Sequence, residues 1–266
     1  MRWSQDGEWE AAPSERASEP VRSLRLLTWN VYFGDHQFEA RRDALLARLA
    51  HLRPDVIALQ EVTPDLLTAL LAEEWVRRGY RVGVQLDEAY EPIGRYGVVV
   101  LSRVPVQRLW QVALPTQMGR ALLCATLDAD LTVGTVHLES LGEVSQRVDQ
   151  LRIIQPHLAA LPGDAVLCGD MNFADGATAE TAAIDRRFVD TWPRLRTGQP
   201  GFTVDSDLNL MRYELKGRRS QKRIDRVFLK GSAWRARAIE LVGTEAIDSD
   251  GTCISDHFGL LVDLVR

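Results

Sequence analysis

Five short apolar runs in this chain stop abruptly on a polar side chain: Trp29-Asn30, Leu59-Gln60-Glu61, Val136-His137, Cys168-Gly169-Asp170 and Ile224-Asp225. Apolar runs of this kind, roughly four to eight residues long and bounded by turn formers, read as buried strands. Strand ends that emerge at one rim of a sheet bring distant residues together and hold them rigidly. An Asn, several carboxylates and a His would then share one cavity, joined by His257 of Ser255-Asp256-His257. Each residue alone is ordinary, because an Asp, Asn or Glu after a strand commonly serves a turn or a solvated cap. The joint pattern is what points to chemistry.

The remaining elements limit the fold. Leu24–Trp29 is a strand, and Ala44, Leu45, Leu49 and Leu52 recur at helical spacing within Arg41–Leu52, which Pro54 stops. Thr63-Pro64 is an N-cap and first-turn pair for a helix over Pro64–Trp75. Strands are expected at Tyr80–Leu86, Gly97–Leu101, Leu122–Leu127, Thr132–Leu138, Ala165–Cys168, Ile224–Leu229, Ala238–Val242 and Leu260–Val265. A long helix is expected over Glu143–Leu161, with Pro156 marking a break or end. Helices and strands do not alternate strictly enough for a doubly wound sheet. Hairpin-like pairs around residues 97–138 and 224–265 favour two largely antiparallel sheets stacked face to face, with helices outside. Residues 1–22, polar and carrying Pro13 and Pro20, read as a flexible leader. Residues 23–266, undivided by any Pro/Gly-rich linker, read as one domain.

Net charge is −5, which argues against indiscriminate wrapping of DNA through many Lys and Arg contacts. It leaves room for an enzyme that works at one phosphate through a bound cation and a local basic patch. Such a patch exists at Lys216-Gly217-Arg218-Arg219-Ser220-Gln221-Lys222-Arg223, directly before the Asp225 strand. Its ordinary fate would be a solvated charged loop. Cys124, Cys168 and Cys253 lie far apart among apolar neighbours, which excludes a zinc or dithiol motif and suits a reducing compartment. With no secretory core and no apolar run long enough for a bilayer, the protein is expected to be soluble and intracellular, in cytoplasm or nucleoid/nucleus, without a membrane partner.

The clustered residues suit phosphate-ester hydrolysis. That reaction needs a base for water, neutralisation of charge on the phosphoryl oxygens, and stabilisation of the leaving oxygen. Mg²⁺ takes hard oxygen ligands and often only one or two protein carboxylates.

Six ordered motifs carry a resemblance. Thr28-Trp29-Asn30, Leu59-Gln60-Glu61-Val62, His137-Leu138-Glu139-Ser140, Gly169-Asp170-Met171-Asn172, Arg223-Ile224-Asp225-Arg226 and Ser255-Asp256-His257-Phe258-Gly259-Leu260 resemble the endonuclease/exonuclease/phosphatase (DNase I-like) superfamily. Within it, Gln146-Arg147-x-x-Gln150-Leu151, Asp190-Thr191-Trp192 and Gly119-Arg120-Ala121-Leu122-Leu123-Cys124 look most like the 5′-tyrosyl-DNA phosphodiesterases. The resemblance implies an α/β (α+β) four-layered sandwich of two stacked mixed sheets. It implies a phosphodiesterase acting on DNA ends as a monomer, with Mg²⁺ as cofactor and Mn²⁺ as a substitute. Glu61 would be the principal metal ligand, with Asn30 beside it and Asp256 near the metal's waters. Asp170 would be the general base, Asn172 would orient water and bind the phosphoryl group, and His257, its ring held by Asp225, would donate to a phosphate oxygen. His137 and Ser140 would contact the scissile phosphate and Trp192 would wall the substrate pocket. Arg218, Arg219 and Lys222 would track the nucleic-acid backbone. The chain departs from the pattern at Ala174, Leu141-Gly142 and Val204, where Arg, Thr-Arg and Trp would stand. Other substrates weighed on the same core are plain or abasic DNA, poly(A) RNA, and lipid or inositol phosphates. A silent binding module is the remaining alternative.

Overall fold

The strand-ending runs become the centres of two six-stranded sheets. The computed structural model describes residues 1–4, 6–13, 17, 19–87 and 91–266. In chain order the first half comprises β1 (Arg2–Trp3), β2 (Trp9–Glu10), β3 (Ser23–Asn30), α1 (Phe38–Leu52), β4 (Val56–Val62), α2 (Pro64–Ala72), α3 (Glu74–Gly79), β5 (Arg81–Val84), β6 (Gly97–Ser102), β7 (Val106–Ala113), β8 (Ala121–Leu127) and β9 (Leu131–His137). There follow α4 (Val144–Ala159), β10 (Asp164–Asp170), α5 (Thr178–Ala182), β11 (Val189–Asp190), α6 (Thr191–Leu195), β12 (Val204–Asp205), α7 (Leu210–Lys216), β13 (Gln221–Lys222), β14 (Asp225–Lys230), β15 (Arg235–Val242) and β16 (Gly259–Val265).

One sheet has the order β15-β16-β3-β4-β6-β5 and the other β11-β14-β10-β9-β8-β7. Each contains a single parallel pair, β3–β4 joined through α1 and β9–β10 joined through α4; their other neighbours are antiparallel. The sheets pack face to face over Leu24, Leu26, Val98, Val100, Leu123, Val133, Val166 and Leu260. Their outer faces are covered by α1 and α2 on one side and α4 on the other, through Leu45, Leu49, Leu66 and Leu70, and through Leu151, Ile154 and Leu158. This is the four-layered sandwich expected, with two mixed, largely antiparallel sheets and helices outside. Central strands covered on both faces need no alternation, which is why β4, β6, β9 and β10 read as continuous apolar runs.

Several details differ from expectation. The helix expected over Pro64–Trp75 divides into α2 and α3 at Glu73, whose backbone is extended; Trp75 then packs edge-on to Tyr80, with ring centroids 5.4 Å apart. Pro156 lies inside the last turn of α4 and does not interrupt it. The leader expected over residues 1–22 is corrected at its start: β1 and β2 pair as a hairpin, although residues 5, 14–16 and 18 lie outside the described residues. Met1 exchanges backbone hydrogen bonds with Val82 of β5, covering that sheet edge. Trp9 Nε1 donates to the Leu71 carbonyl at 3.3 Å, and Arg77 lies over the Trp3 ring. Two tryptophans in an otherwise polar stretch supply the apolar area that docks it.

Candidate active site

Strand register brings the run-ends together. Asn30 lies beside Gln60 in the β3–β4 pair, and His137 beside Asp170 in the β9–β10 pair. The first residue of β14, Asp225, pairs with Asp170 across an antiparallel ladder. β16 runs antiparallel to β3, so Ser255-Asp256-His257, just before it, returns to the same rim. Ser255 Oγ donates to the Asn30 carbonyl at 2.6 Å and Trp29 Nε1 to the His257 carbonyl at 2.9 Å, fixing that loop.

Local backbone geometry aims the side chains. The β4–β6 register breaks between Leu59 and Val62, and within that bulge Glu61 adopts φ 62°. A bulge with a left-handed non-glycine residue re-aims a side chain at a cost in strain, a feature concentrated at functional sites. Gln60 anchors the bulge between the sheets, its Nε2 donating to Thr28 and Thr135 hydroxyls. Before Asp170, Gly169 has φ 129°, and a Cβ there would sit 2.0 Å from the Val136 carbonyl oxygen, so only glycine lets β10 lie so close to β9. Buried Arg41 donates to the carbonyls of Val31, Tyr32, Gly34, His36 and Ile254, holding the loop after Asn30.

The polar cluster is almost wholly enclosed. Asp170 accepts from the Asn172 backbone N–H at 2.9 Å and from Asn30 Nδ2 at 2.9 Å, and lies 3.4 Å from His137 Nε2. Burial, then repulsion from Asp225, pushes its carboxyl up to about 7, against the pull of His257. His257 Nδ1 is 2.8 Å from Asp225 Oδ2. Burial alone would discharge that ring, but Asp225, Asp256 and Asp170 outweigh it and raise it to about 10. His137 goes the other way: burial, Arg120 and His257 hold it well below its usual range. Arg120 donates to its Nδ1 at 3.0 Å, so the neutral ring carries its proton on Nε2, facing Asp170. Asn172, at φ 52°, donates through Nδ2 to the Leu138 carbonyl.

Oxygen donors gather beside this triad. Glu61 accepts from the Phe33 backbone N–H at 2.9 Å and from Asn30 Nδ2 at 3.2 Å. Burial and Asp256 raise its carboxyl above the usual range, a pairing of like charges that a divalent cation between them would relieve. Asn30 was expected among the metal ligands, but its Oδ1 accepts from the Tyr32 N–H. Its amide therefore turns its donors, not its oxygen, toward Glu61 and Asp170. Asp170, Asp225 and His257 also lie within metal-binding distance of one another. The His257 Nδ1 is taken up by Asp225, which leaves no lone pair there, whereas Glu61 and Asp256, the latter paired through Oδ2 with Arg212, line the groove with hard carboxylate oxygens of the kind a divalent cation takes.

The rim opens into a groove of about 1670 Å³. His137, Ser140, Asp170, Asn172, Asp256 and His257 line it, as do Arg218 and Lys222. Its wall includes residues to which the sequence had assigned no role. Phe33 stacks on Tyr96 at 4.6 Å, Arg95 caps Phe33 and Arg120 caps Tyr96. A charged residue immediately before the apolar β8 run was the available signal for Arg120, and Tyr32-Phe33 directly after Asn30 for the aromatic wall.

Three expectations are corrected. Trp192 is a core residue, 5% exposed among the inter-sheet apolar side chains, its Nε1 donating to the Gln199 carbonyl. Asp190 caps α6 by accepting from the Trp192 N–H and is itself gripped by Arg223 and Arg226, which turns the indole inward. Arg219 pairs with Asp207 and lies over Tyr213 rather than lining the groove. Arg223, counted in the basic patch, is buried against Asp175 and Asp190. The Arg147 and Gln150 motif is a brace: Arg147 donates to the Glu139 and Leu141 carbonyls, and Gln150 holds the Glu139 N–H, supporting the loop that carries Ser140.

Buried carboxylates, an Asp–His pair and a hard-oxygen pocket at the rim of a four-layered sandwich define a hydrolase of phosphate esters. The chain belongs to the endonuclease/exonuclease/phosphatase family, whose model matches residues 27–257. Tyrosyl-DNA phosphodiesterase 2 of Homo sapiens is 29% identical over 271 residues, covering 95% of this chain and 71% of that protein. The structure of Danio rerio TDP2 complexed with single-strand DNA product superposes with a TM-score of 0.79 at 25% identity, over 92% of this chain and 99% of that one. Truncated Caenorhabditis elegans TDP2 shares the fold, with a TM-score of 0.76 at 20% identity, over 92% of this chain and 98% of that one.

Proposed function

We propose that this protein hydrolyses the phosphodiester joining the 5′ end of DNA to a tyrosyl adduct, releasing a 5′-phosphate, with Mg²⁺ bound at Glu61 and Asp256 and Mn²⁺ able to replace it. The observation that carries this reading is the buried cluster in which Asp170, bonded by Asn30 and the Asn172 N–H and 3.4 Å from His137 Nε2, lies beside the Asp225–His257 pair, its carboxyl raised to about 7 and the His257 ring to about 10. Asp170 takes a proton from water, a task for which a base near the operating pH is best matched. Asn172 and neutral His137 position that water and the phosphoryl group. His257, held charged by Asp225, donates to a non-bridging oxygen and stabilises its growing charge. A divalent cation held by Glu61 and Asp256 would supply Lewis-acid neutralisation of the phosphate. Ser140 contacts the same phosphate, and the Phe33–Tyr96 wall with Arg120 offers an aromatic and cationic surface for the departing tyrosyl group. Lys222 and Arg218 follow the DNA strand. In this reading the protein acts as a monomer at DNA ends, in cytoplasm or nucleoid/nucleus.

The test is a substrate panel: 5′-phosphotyrosyl oligonucleotide, 3′-phosphotyrosyl oligonucleotide, plain and abasic duplex, and an inositol phosphate. Tyrosine release from the 5′ adduct alone is expected. Robust nicking of plain duplex without turnover of the adduct would replace adduct repair by general endonuclease action.

A further inference from the structure

The groove carries several cations, and one of them is tied to the reacting centre itself. Arg212, in the first turn of α7, bonds through Nη1 to Asp256 and lines the groove. Its Nε is enclosed and has no hydrogen-bond partner among the described residues. The attachment is built from three sides. Asn209 caps α7 by accepting from the Arg212 backbone N–H at 2.9 Å, and its Nδ2 donates to the Ser255 carbonyl at 2.8 Å. Phe258 N–H donates to the Thr203 carbonyl just before β12. The helix is thus locked onto the loop that presents His257, and the guanidinium holds a set orientation relative to that ring.

Asp256 stands between the two cations, with its Oδ1 3.9 Å from His257 Nε2 and its other oxygen on Arg212. A phosphate held by His257 is therefore one carboxylate's width from Arg212. The Nη1 donor of Arg212 is committed to Asp256. The guanidinium carries five N–H donors, of which Nε is enclosed, on a side chain that lines the groove. Lys216 follows at i+4, about 6 Å further along the helix axis, and Lys216, Arg218 and Lys222 continue the basic wall.

We infer that Arg212 is a positioning residue that holds the phosphate adjoining the scissile one, so that a DNA strand is registered in the site by its second phosphate. This rests on the DNA-end phosphodiesterase reading, and it deepens it: the enzyme measures one internucleotide step from the adduct. An Arg guanidinium suits that task because it pairs with phosphate in a fixed, two-point geometry.

The experiment compares ligands with and without the second phosphate. Thymidine 5′-monophosphate and a 5′-phosphorylated tetranucleotide compete for a fluorescent 5′-phosphorylated oligonucleotide, read by anisotropy. The p-nitrophenyl ester of thymidine 5′-phosphate gives kcat and KM for a substrate with the scissile phosphate alone. Arg212→Gln should weaken the tetranucleotide about tenfold and lower the slope of log affinity against log salt by about one. Because Arg212 also partners Asp256, the ester and the mononucleotide report any loss at the reacting centre, and the tetranucleotide's affinity advantage over the mononucleotide should fall about tenfold beyond it. Lys216→Gln, on the exposed face of the same helix, should weaken the tetranucleotide in the same sense but less. Equal losses on both ligand classes, or an unchanged tetranucleotide in both variants, would overturn the assignment. Failure of the wild type to cleave the ester or any DNA adduct would instead strike the functional reading.

Discussion

Replacing Asp170 with asparagine separates chemistry from stability in a single variant. The carboxyl rises from 3.8 to about 7 on folding, through burial and the neighbouring Asp225. At about 1.4 kcal/mol per pH unit, the ionised form costs the folded state up to about 4 kcal/mol above pH 7. The sign follows from linkage: a raised carboxylate pKa means stability is lost as pH climbs from the unfolded value to the folded one. Asparagine removes that cost but sets its own amide donor against Asn30 Nδ2, which now donates to Asp170. The lost bond costs about 1–2 kcal/mol. With metal chelated, Asp170→Asn should be about 2 kcal/mol more stable than wild type at pH 8, a melting rise of about 5 °C. The advantage should vanish near pH 5, where the wild-type side chain folds protonated. Urea melts at the two pH values measure it. In the presence of Mg²⁺ the same variant should lose about 10²–10⁴-fold in kcat, the usual share of a general base. A variant that stays active, or whose stability difference is the same at both pH values, would refute the reasoning.

The pH dependence of kcat/KM should rise as Asp170 deprotonates, at or below about 7 once a cation is bound, and fall as His257 loses its proton near 10. Asp225→Asn should draw the upper limb to lower pH, and a flat profile would contradict both assignments. Trp192→Ala should cost about 3–5 kcal/mol of stability and leave KM for the tyrosyl adduct unchanged; a raised KM with unaltered stability would return Trp192 to the pocket wall. Arg218→Gln with Lys222→Gln should raise KM on DNA and reduce its salt slope by about two, whereas Arg219→Gln, lost from a pair with Asp207, should not.

Much of the site was legible because rigid strands carry it. Asn30, Glu61, His137, Asp170 and Asp225 end or begin apolar runs, and any stacking of those runs at one rim must gather them. The Asp225–His257 partnership was implied by the family resemblance, and the two side chains meet at 2.8 Å. What the sequence could not convey depends on short-range geometry. Nothing in Leu59-Gln60-Glu61-Val62 announces the bulge that turns Glu61 into the groove, and the orientation of the Asn30 amide is set by the Tyr32 N–H. Trp192 was expected at the wall because the family resemblance implied it, yet with Asp190 capping α6 the indole lies in the core. β7 went unread because an edge strand tolerates the mixed Val-Gln-Arg-Leu-Trp-Gln-Val-Ala sequence that a central strand would not. Arg212 belongs to no motif; only the docking of α7 on the 255–257 loop gives it a neighbour. The leader was misread over β1 and β2 because two isolated tryptophans count for little in composition and much in packing.

The most direct test is a Mg²⁺ titration of 5′-phosphotyrosyl oligonucleotide cleavage by wild type and Glu61→Gln, with product ends identified. Wild type should show saturable, chelator-sensitive release of tyrosine leaving a 5′-phosphate, and Glu61→Gln should need at least about tenfold more metal. Cleavage that persists in chelator, or an identical metal midpoint in the two proteins, would contradict a site assembled around Glu61.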